Sequence, residues 1–311
     1  MRKFYWLCFG AVLLLGLSAC LDTETDNLEN LQVTLESEGN LSLFAEAVSI
    51  SPFASVAELG INTVFAPNNQ AMEAFLSQQG YASVSAIPDT TLSNLVGYHF
   101  VPGVGRSGEI SPDYYTTLSN QSPNNSGVSL LIEPTSTTLV LNGSVQGTRL
   151  DLEASNGVIH FIDAVLIPPG IEDIFSQNIS LSIMRNSLQD LGIFDSLTLG
   201  NIYTIITPPN TAFTNYLNER GLGGISDIAD EEFQTLILRH IISGNYGIEE
   251  LANSTWNTLE NSLTVGVELS PGPIPEQDMY VVNDSSSLLL GDVQATDGII
   301  QIIDRILPTT R

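Results

Sequence analysis

The side chains best suited to acid–base work are few. His99, His160 and Asp163 lie within one stretch of the chain, and His240 and Asp304 lie 141 positions after the first and third of them. An imidazole beside a carboxylate is a minimal general acid–base pair, so Asp163 with His160 is the couple a hydrolase would use. The more ordinary reading makes Asp163 and Asp304 buried acceptors for backbone N–H groups, because a buried carboxylate is costly unless it is hydrogen-bonded. A histidine metal site would need a third ligand, and no His-Glu-x-x-His or Asp-x-Asp-x-Asp-Gly spacing occurs. Gln301 stands where His160 would repeat. That change keeps hydrogen bonding and loses metal affinity. Gly105-Arg106-Ser107-Gly108 is not a Gly-x-Ser-x-Gly elbow, and no Gly-rich phosphate loop follows a strand. These patterns point away from an enzyme, a cofactor or a metal.

The elements that must position these groups recur. Asn156–Pro169 reads as an Asn-Gly turn, a fully buried strand and a Pro-Pro stop, and Asp297–Thr310 is its second copy. Along the first copy Ile159, Phe161, Asp163 and Val165 share one strand face. The same shift pairs Pro67 with Pro208, Asn69 with Asn210, Gly80 with Gly221 and Asn142 with Asn283. A period this long marks a duplicated globular domain, since solenoid repeats of about 20 to 50 residues cannot close a core alone. The chain of 311 residues therefore divides into domains over 37–170 and 177–310.

Within each copy the order is the same. Thr63–Pro67 reads as a strand stopped by its proline, Asn68 and Asn69 as N-caps for a helix over Gln70–Gln79, and Gly80 as its close. Leu92, Leu95, Val96 and His99 fall on one helical stripe, as do Phe233, Leu236, Ile237 and His240, so both histidines point inward. Strands are expected over Ser129–Ile132, Thr137–Leu141, Val265–Leu269 and Tyr280–Val282. Tyr114, Tyr115 and Trp256 lie in loop-like polar stretches, where they could stack on a sugar ring or touch a partner.

Arg2 and Lys3 precede an apolar run ending in Leu17-Ser18-Ala19-Cys20. Residues 1–19 read as a signal segment, and the run resembles a bacterial lipoprotein lipobox with Cys20 as the lipidated residue. Residues 20–36 read as an acidic, solvated tether without packed structure. Acidic residues directly after Cys20 are similar to signals that send lipoproteins to the cell surface in some Gram-negative phyla. The resemblance implies a lipid-anchored protein of the bacterial envelope, on the outer membrane and open to the exterior. The net charge is −26, and removing residues 1–19 takes away two of nine basic residues and no acidic one. Nucleic acid is excluded as a partner by that charge. Both cysteines, Cys8 and Cys20, leave or become acylated, so no disulfide or thiolate chemistry is available to the body.

Thr63-Val64-Phe65-Ala66-Pro67-Asn68-Asn69-Gln70-Ala71, Tyr98-His99 and Asn156–Leu166 resemble, in order, the three signature boxes of fasciclin-type domains. The second copy departs at Thr207, Arg239 and Gln301. The resemblance implies an α+β fold, two tandem fasciclin-type domains, each a wedge of two small β-sheets flanked by helices. It implies adhesion or ligand binding without catalysis, the ligand being a glycan or a protein.

Overall fold

The computed structural model describes residues 28–103, 105–252, 254–260, 264–271 and 278–307. The signal segment, Cys20 and residues 21–27 of the expected tether lie outside the described residues.

The first described element corrects the tether. Helix α1 (Leu31–Ser37) is capped by Asn30, whose side chain accepts from the Val33 N–H. Leu31 and Leu35, four apart and so on one face, are completely buried in the core of the first domain. Glu29 and Glu36 stay exposed. A helix of two buried leucines on an acidic background has the composition of a linker and the packing of a core element. Residues 31–36 of the expected tether therefore pack with the core of the first domain.

Helices α2 (Ser42–Ser49) and α3 (Ala54–Leu59) come next. Strand β1 (Asn62–Pro67), α4 (Asn69–Gln79) and α5 (Asp89–Tyr98) follow as the sequence pattern requires, and a short β2 (Phe100–Pro102) that no pattern announced comes directly after His99. Then come β3 (Asp113–Thr116), β4 (Ser129–Pro134), β5 (Leu139–Leu141), β6 (Val145–Ala154) and β7 (Gly157–Ile162). The ladder runs β2-β1-β7-β6-β5-β4-β3. Only β1 with β7 is parallel; the other five pairings are antiparallel. The two small sheets are thus halves of one ladder. It bends at β6, where the register slips between Gly147 and Arg149 and again before Leu152. Phe65, Val101, Leu130, Ile132, Leu141 and Ile162 fill the space between the halves. A second cluster, with Phe44, Met72, Leu92 and Ile159, packs β1 and β7 against the helices.

Strand β7 is buried on both faces along its length, which is why it reads as one apolar run. Its first residue must be glycine: a β-carbon on Gly157 would lie 1.9 Å from the Asn62 carbonyl oxygen of the neighbouring strand. Strand β6 carries Gly147, Thr148 and Arg149 and much of it is exposed or half-buried, so no apolar pattern announces it.

The second domain repeats the plan with α6 (Ile171–Gln177), α7 (Ser182–Asp190), α8 (Ile193–Thr198), β8 (Tyr203–Thr207), α9 (Asn210–Glu219), α10 (Asp230–Leu238) and β9 (Ile241–Ser243). A short α11 (Ile248–Leu251) precedes β10 (Thr255–Asn257), β11 (Thr264–Pro271), β12 (Asp278–Val282), β13 (Ser286–Gln294) and β14 (Gly298–Ile303). Its ladder, β10-β11-β12-β13-β14-β8-β9, matches the first strand for strand. Helix α6 takes the place of α1, with Ile171, Ile174 and Phe175 buried in the core of the second domain. The domains also touch. The buried Gln294 N–H donates to Ser129 Oγ at 2.9 Å, and Ser126 Oγ donates to Gln294 Oε1 at 3.2 Å.

Candidate functional site

His99 and His240 close helices α5 and α10. His99 follows the last residue of α5 and is fully buried. Its Nε2 accepts from the Leu166 N–H at 3.0 Å, so Nδ1 carries the proton and donates to the Leu95 carbonyl at 2.8 Å. His240 does the same between Leu307 N–H at 3.0 Å and Leu236 carbonyl at 2.8 Å. Desolvation lowers the folded pKa to about 4 for His99 and about 3 for His240. Each ring is a neutral clip between a helix end and the segment that leaves the last strand.

His160, on β7, is fully buried too. Its Nδ1 accepts from the Asp151 N–H at 3.2 Å and its Nε2 donates to the Gly105 carbonyl at 2.8 Å. Gln301 reproduces the pair with an amide: Oε1 accepts from the Asp292 N–H at 2.9 Å and Nε2 donates to Asp292 Oδ1 at 2.8 Å and the Tyr246 carbonyl at 3.4 Å. The exchange of histidine for glutamine is thus a conserved donor and acceptor, with no proton shuttle needed. Burial lowers the His160 pKa, against the opposing Gly105 bond and Asp151 charge.

The partners Asp151 and Asp292 were not singled out by sequence. They share the 141-residue shift, and both sit in the left-handed region at φ 61° and 57°, inside the bulged strands β6 and β13. Against the upward pull of burial, hydrogen bonds from Ser107 hold the Asp151 carboxyl below its ordinary range. The Ser107 N–H donates to its Oδ1 at 2.7 Å and the Ser107 hydroxyl to its Oδ2. Asp292 Oδ1 likewise accepts from the Ile248 N–H at 2.9 Å.

Asp163 departs from its expected place. Strand β7 ends at Ile162, so Asp163 leaves the sheet and is exposed, and Asp304 is half-buried. Each accepts a backbone bond as expected of it: Asp163 Oδ1 from Gln146 N–H at 2.8 Å, Asp304 Oδ1 from Ser287 N–H at 2.7 Å. Their own N–H groups donate back to Gln146 and Ser287 carbonyls at 3.1 and 2.9 Å. The fold does not bring Asp163 and His160 together: three apart across a strand end, they face different ways and bond different partners.

The asparagines are ties. Asn68 caps α4 through Ala71 N–H at 2.9 Å, but Asn69, expected as a second cap, turns back to α2. Its Oδ1 accepts from Leu43 N–H at 3.1 Å and its amide donates to Gly39 O at 2.9 Å and Ser42 Oγ at 3.0 Å. Asn210 copies this on Ile183 N–H at 2.9 Å, Ile179 O at 3.1 Å and Ser182 Oγ at 2.9 Å. Pro67 ends β1, and Pro208 directly follows β8. Asn156, read only as a turn residue, holds α1 by accepting from Leu31 N–H at 2.8 Å. Asp297 holds α6 through Ile171 N–H at 2.7 Å.

Tyr114, Tyr115 and Trp256 lie on the edge strands β3 and β10, not in loops. All three are half-buried. Tyr114 packs on the core of the second domain, Tyr115 on its own core, and Trp256 lies against the Tyr246 ring with centroids 4.0 Å apart. Tyr114 is therefore an interdomain contact. Among the described residues no group of three or more His, Cys, Asp or Glu could hold a metal ion, and no helix is long and apolar enough to cross a membrane.

A bent seven-stranded ladder, helices on one side and the same polar clips in each copy define a tandem pair of one domain type. The chain belongs to the fasciclin domain family, whose model matches residues 39–168 and again 180–309. It is similar to the transforming growth factor-beta-induced protein ig-h3 of Sus scrofa, 27% identical over 252 residues, 80% of this chain and 35% of that protein. It is also similar to periostin of Homo sapiens, 26% identical over 228 residues, 72% of this chain and 25% of that protein. The chain thus spans about a third or less of the length of these relatives. In fold it resembles the FAS1 domain pair of the insect cell adhesion molecule Fasciclin I, with a TM-score of 0.53 at 17% identity, covering 87% of this chain and 97% of that one.

Proposed function

We propose that this protein is a non-catalytic adhesion or ligand-binding lipoprotein of the bacterial cell envelope, anchored through Cys20 and displaying two fasciclin domains to a glycan or an extracellular protein. One observation carries the non-catalytic reading: in both domains the groups that could do chemistry are engaged by the backbone. His99, His160 and His240 each use both ring nitrogens, and Asp163 and Asp304 each accept a backbone N–H. The match to the domain pair of a cell adhesion molecule supports the same reading. The anionic, hydroxyl-rich surface suits a neutral glycan better than an anionic partner. The experiment is an array of glycans and extracellular proteins probed with residues 21–311. Saturable binding to one class is expected, and no retention on any class would defeat the proposal.

A further inference from the structure

The two domains differ at one place that the adhesion reading does not use. In the second, Gly244 has φ 113°, and the Tyr246 ring folds over it so closely that a β-carbon there would lie 2.5 Å from Cε2. That ring rests on Trp256. The loop is fixed by Thr204, whose Oγ1 donates to the Gly244 carbonyl at 2.9 Å and accepts from the Tyr246 N–H at 2.9 Å. The first domain repeats the same backbone. Thr63 Oγ1 donates to the Gly103 carbonyl at 3.0 Å and accepts from the Gly105 N–H at 2.8 Å, and Gly103 has φ 95°. Tyr115 pairs with Leu130 on the edge rung where Trp256 pairs with Val265. Gly105, in the place of Tyr246, brings no ring.

The consequence is a cavity of about 130 Å³ walled by Phe65, Val101, Gly103, Ile110, Tyr115 and Ile132. A β-carbon on Gly103 would meet no described atom within 4 Å beyond its chain neighbours. The cavity is open to solvent on one side, and its volume is close to that of an enclosed apolar cavity of about 150 Å³ that accepts benzene. Its aromatic wall is held in place, because the Tyr115 hydroxyl donates to the Ser111 carbonyl at 2.9 Å and accepts from the Ser111 N–H at 3.2 Å. We infer that this cavity binds one planar aromatic ring, a phenyl or phenol group, set on Tyr115 as the Tyr246 ring is set on Trp256. The same chemistry would receive a small aromatic molecule or the side chain of a partner's phenylalanine or tyrosine. It stands apart from the adhesion reading, since a ring site is compatible with any larger ligand.

The test is equilibrium dialysis of p-cresol against residues 21–311, with far-UV circular dichroism to check folding. One site per chain is expected, with 4-methylcyclohexanol bound about tenfold more weakly for want of stacking. Gly105→Tyr supplies the ring from the chain itself and should abolish binding, while Tyr246→Gly should open the matching cavity and raise the stoichiometry to two. Binding of N-acetyltyrosinamide as well as p-cresol points to a side-chain source, and p-cresol alone to a small molecule. Absence of p-cresol binding to the wild-type chain, or undiminished binding to folded Gly105→Tyr, would overturn the inference. Should Gly105→Tyr not fold, Tyr115→Leu decides: affinity within twofold of wild type would also overturn it.

Discussion

Replacing His240 by glutamine should remove most of the pH dependence of the second domain between pH 7.5 and 5.5. That domain offers the clean case, since its sequence contains no other histidine. The folded pKa of His240 is about 3, set by desolvation with a smaller push from Arg239, whereas the unfolded value is about 6.5. The unfolded chain therefore binds the proton first. Stability is complete above about pH 6.5 and is lost as pH falls through that value toward the folded pKa, at about 1.4 kcal/mol per pH unit. At pH 5.5 the loss is about 1.4 kcal/mol, a shift of about 0.7 M in a urea midpoint for a slope near 2 kcal/mol/M. The acid of this domain with a shifted pKa, Asp297, has it raised by burial, so its protonation favours the fold at lower pH and acts with the opposite sign. Trp256 is the one tryptophan outside the signal segment, so its fluorescence reports this domain. His240→Gln should cost about 1–3 kcal/mol at pH 7.5 through an unsatisfied Leu307 or Leu236 group. Its midpoint should then stay flat to pH 5.5. A wild-type midpoint that does not move, or a variant that keeps the full slope, would refute the assignment of a buried neutral clip.

Asn210→Ala should destabilise the second domain by about 1–3 kcal/mol, because Ile183 loses its acceptor and Ile179 its donor, and the same fluorescence titration reads it. Leu31→Ala should cost the first domain about 2–5 kcal/mol as a core truncation, while Val33→Ala on the exposed side of α1 should stay within about 0.5 kcal/mol; circular dichroism against urea separates the two. Cys20→Ser should block incorporation of labelled palmitate and release the protein from membranes or leave it unprocessed. Label entering that variant would contradict the anchor.

The repeat made the boxes legible, because β7 and β14 are buried on both faces and so consist of unbroken apolar runs. Helices α4, α5, α9 and α10 followed from stripes that the helices pack inward. The inward direction of His99 and His240 followed from the same stripes, but their bonds to Leu166 and Leu307, 67 positions on, did not. Strand β6 was hidden because its bulges and exposed side chains interrupt the alternation that marks a half-buried strand. Helix α1 was hidden because its two core leucines stand among acidic residues. The misplacement of Asp163 came from running β7 on to Val165, three residues past its end at Ile162: alternation assigns a face only while the strand lasts. Asp151 and Asp292 act through a left-handed backbone at a bulge, and no periodicity encodes that. The tie from Asn156 to Leu31 joins residues 125 positions apart, a contact that only the closed fold supplies.

The central claim is that the aspartates and histidines hold the fold and do not turn over a substrate. It is tested most directly by incubating the ligand class retained on the array with wild-type and Asp163→Asn protein and following the ligand by mass spectrometry. An unchanged ligand, held equally by both proteins apart from a small loss of stability in the variant, is the expected result. Cleaved ligand accumulating with the wild type, and absent with a variant that remains folded, would contradict it.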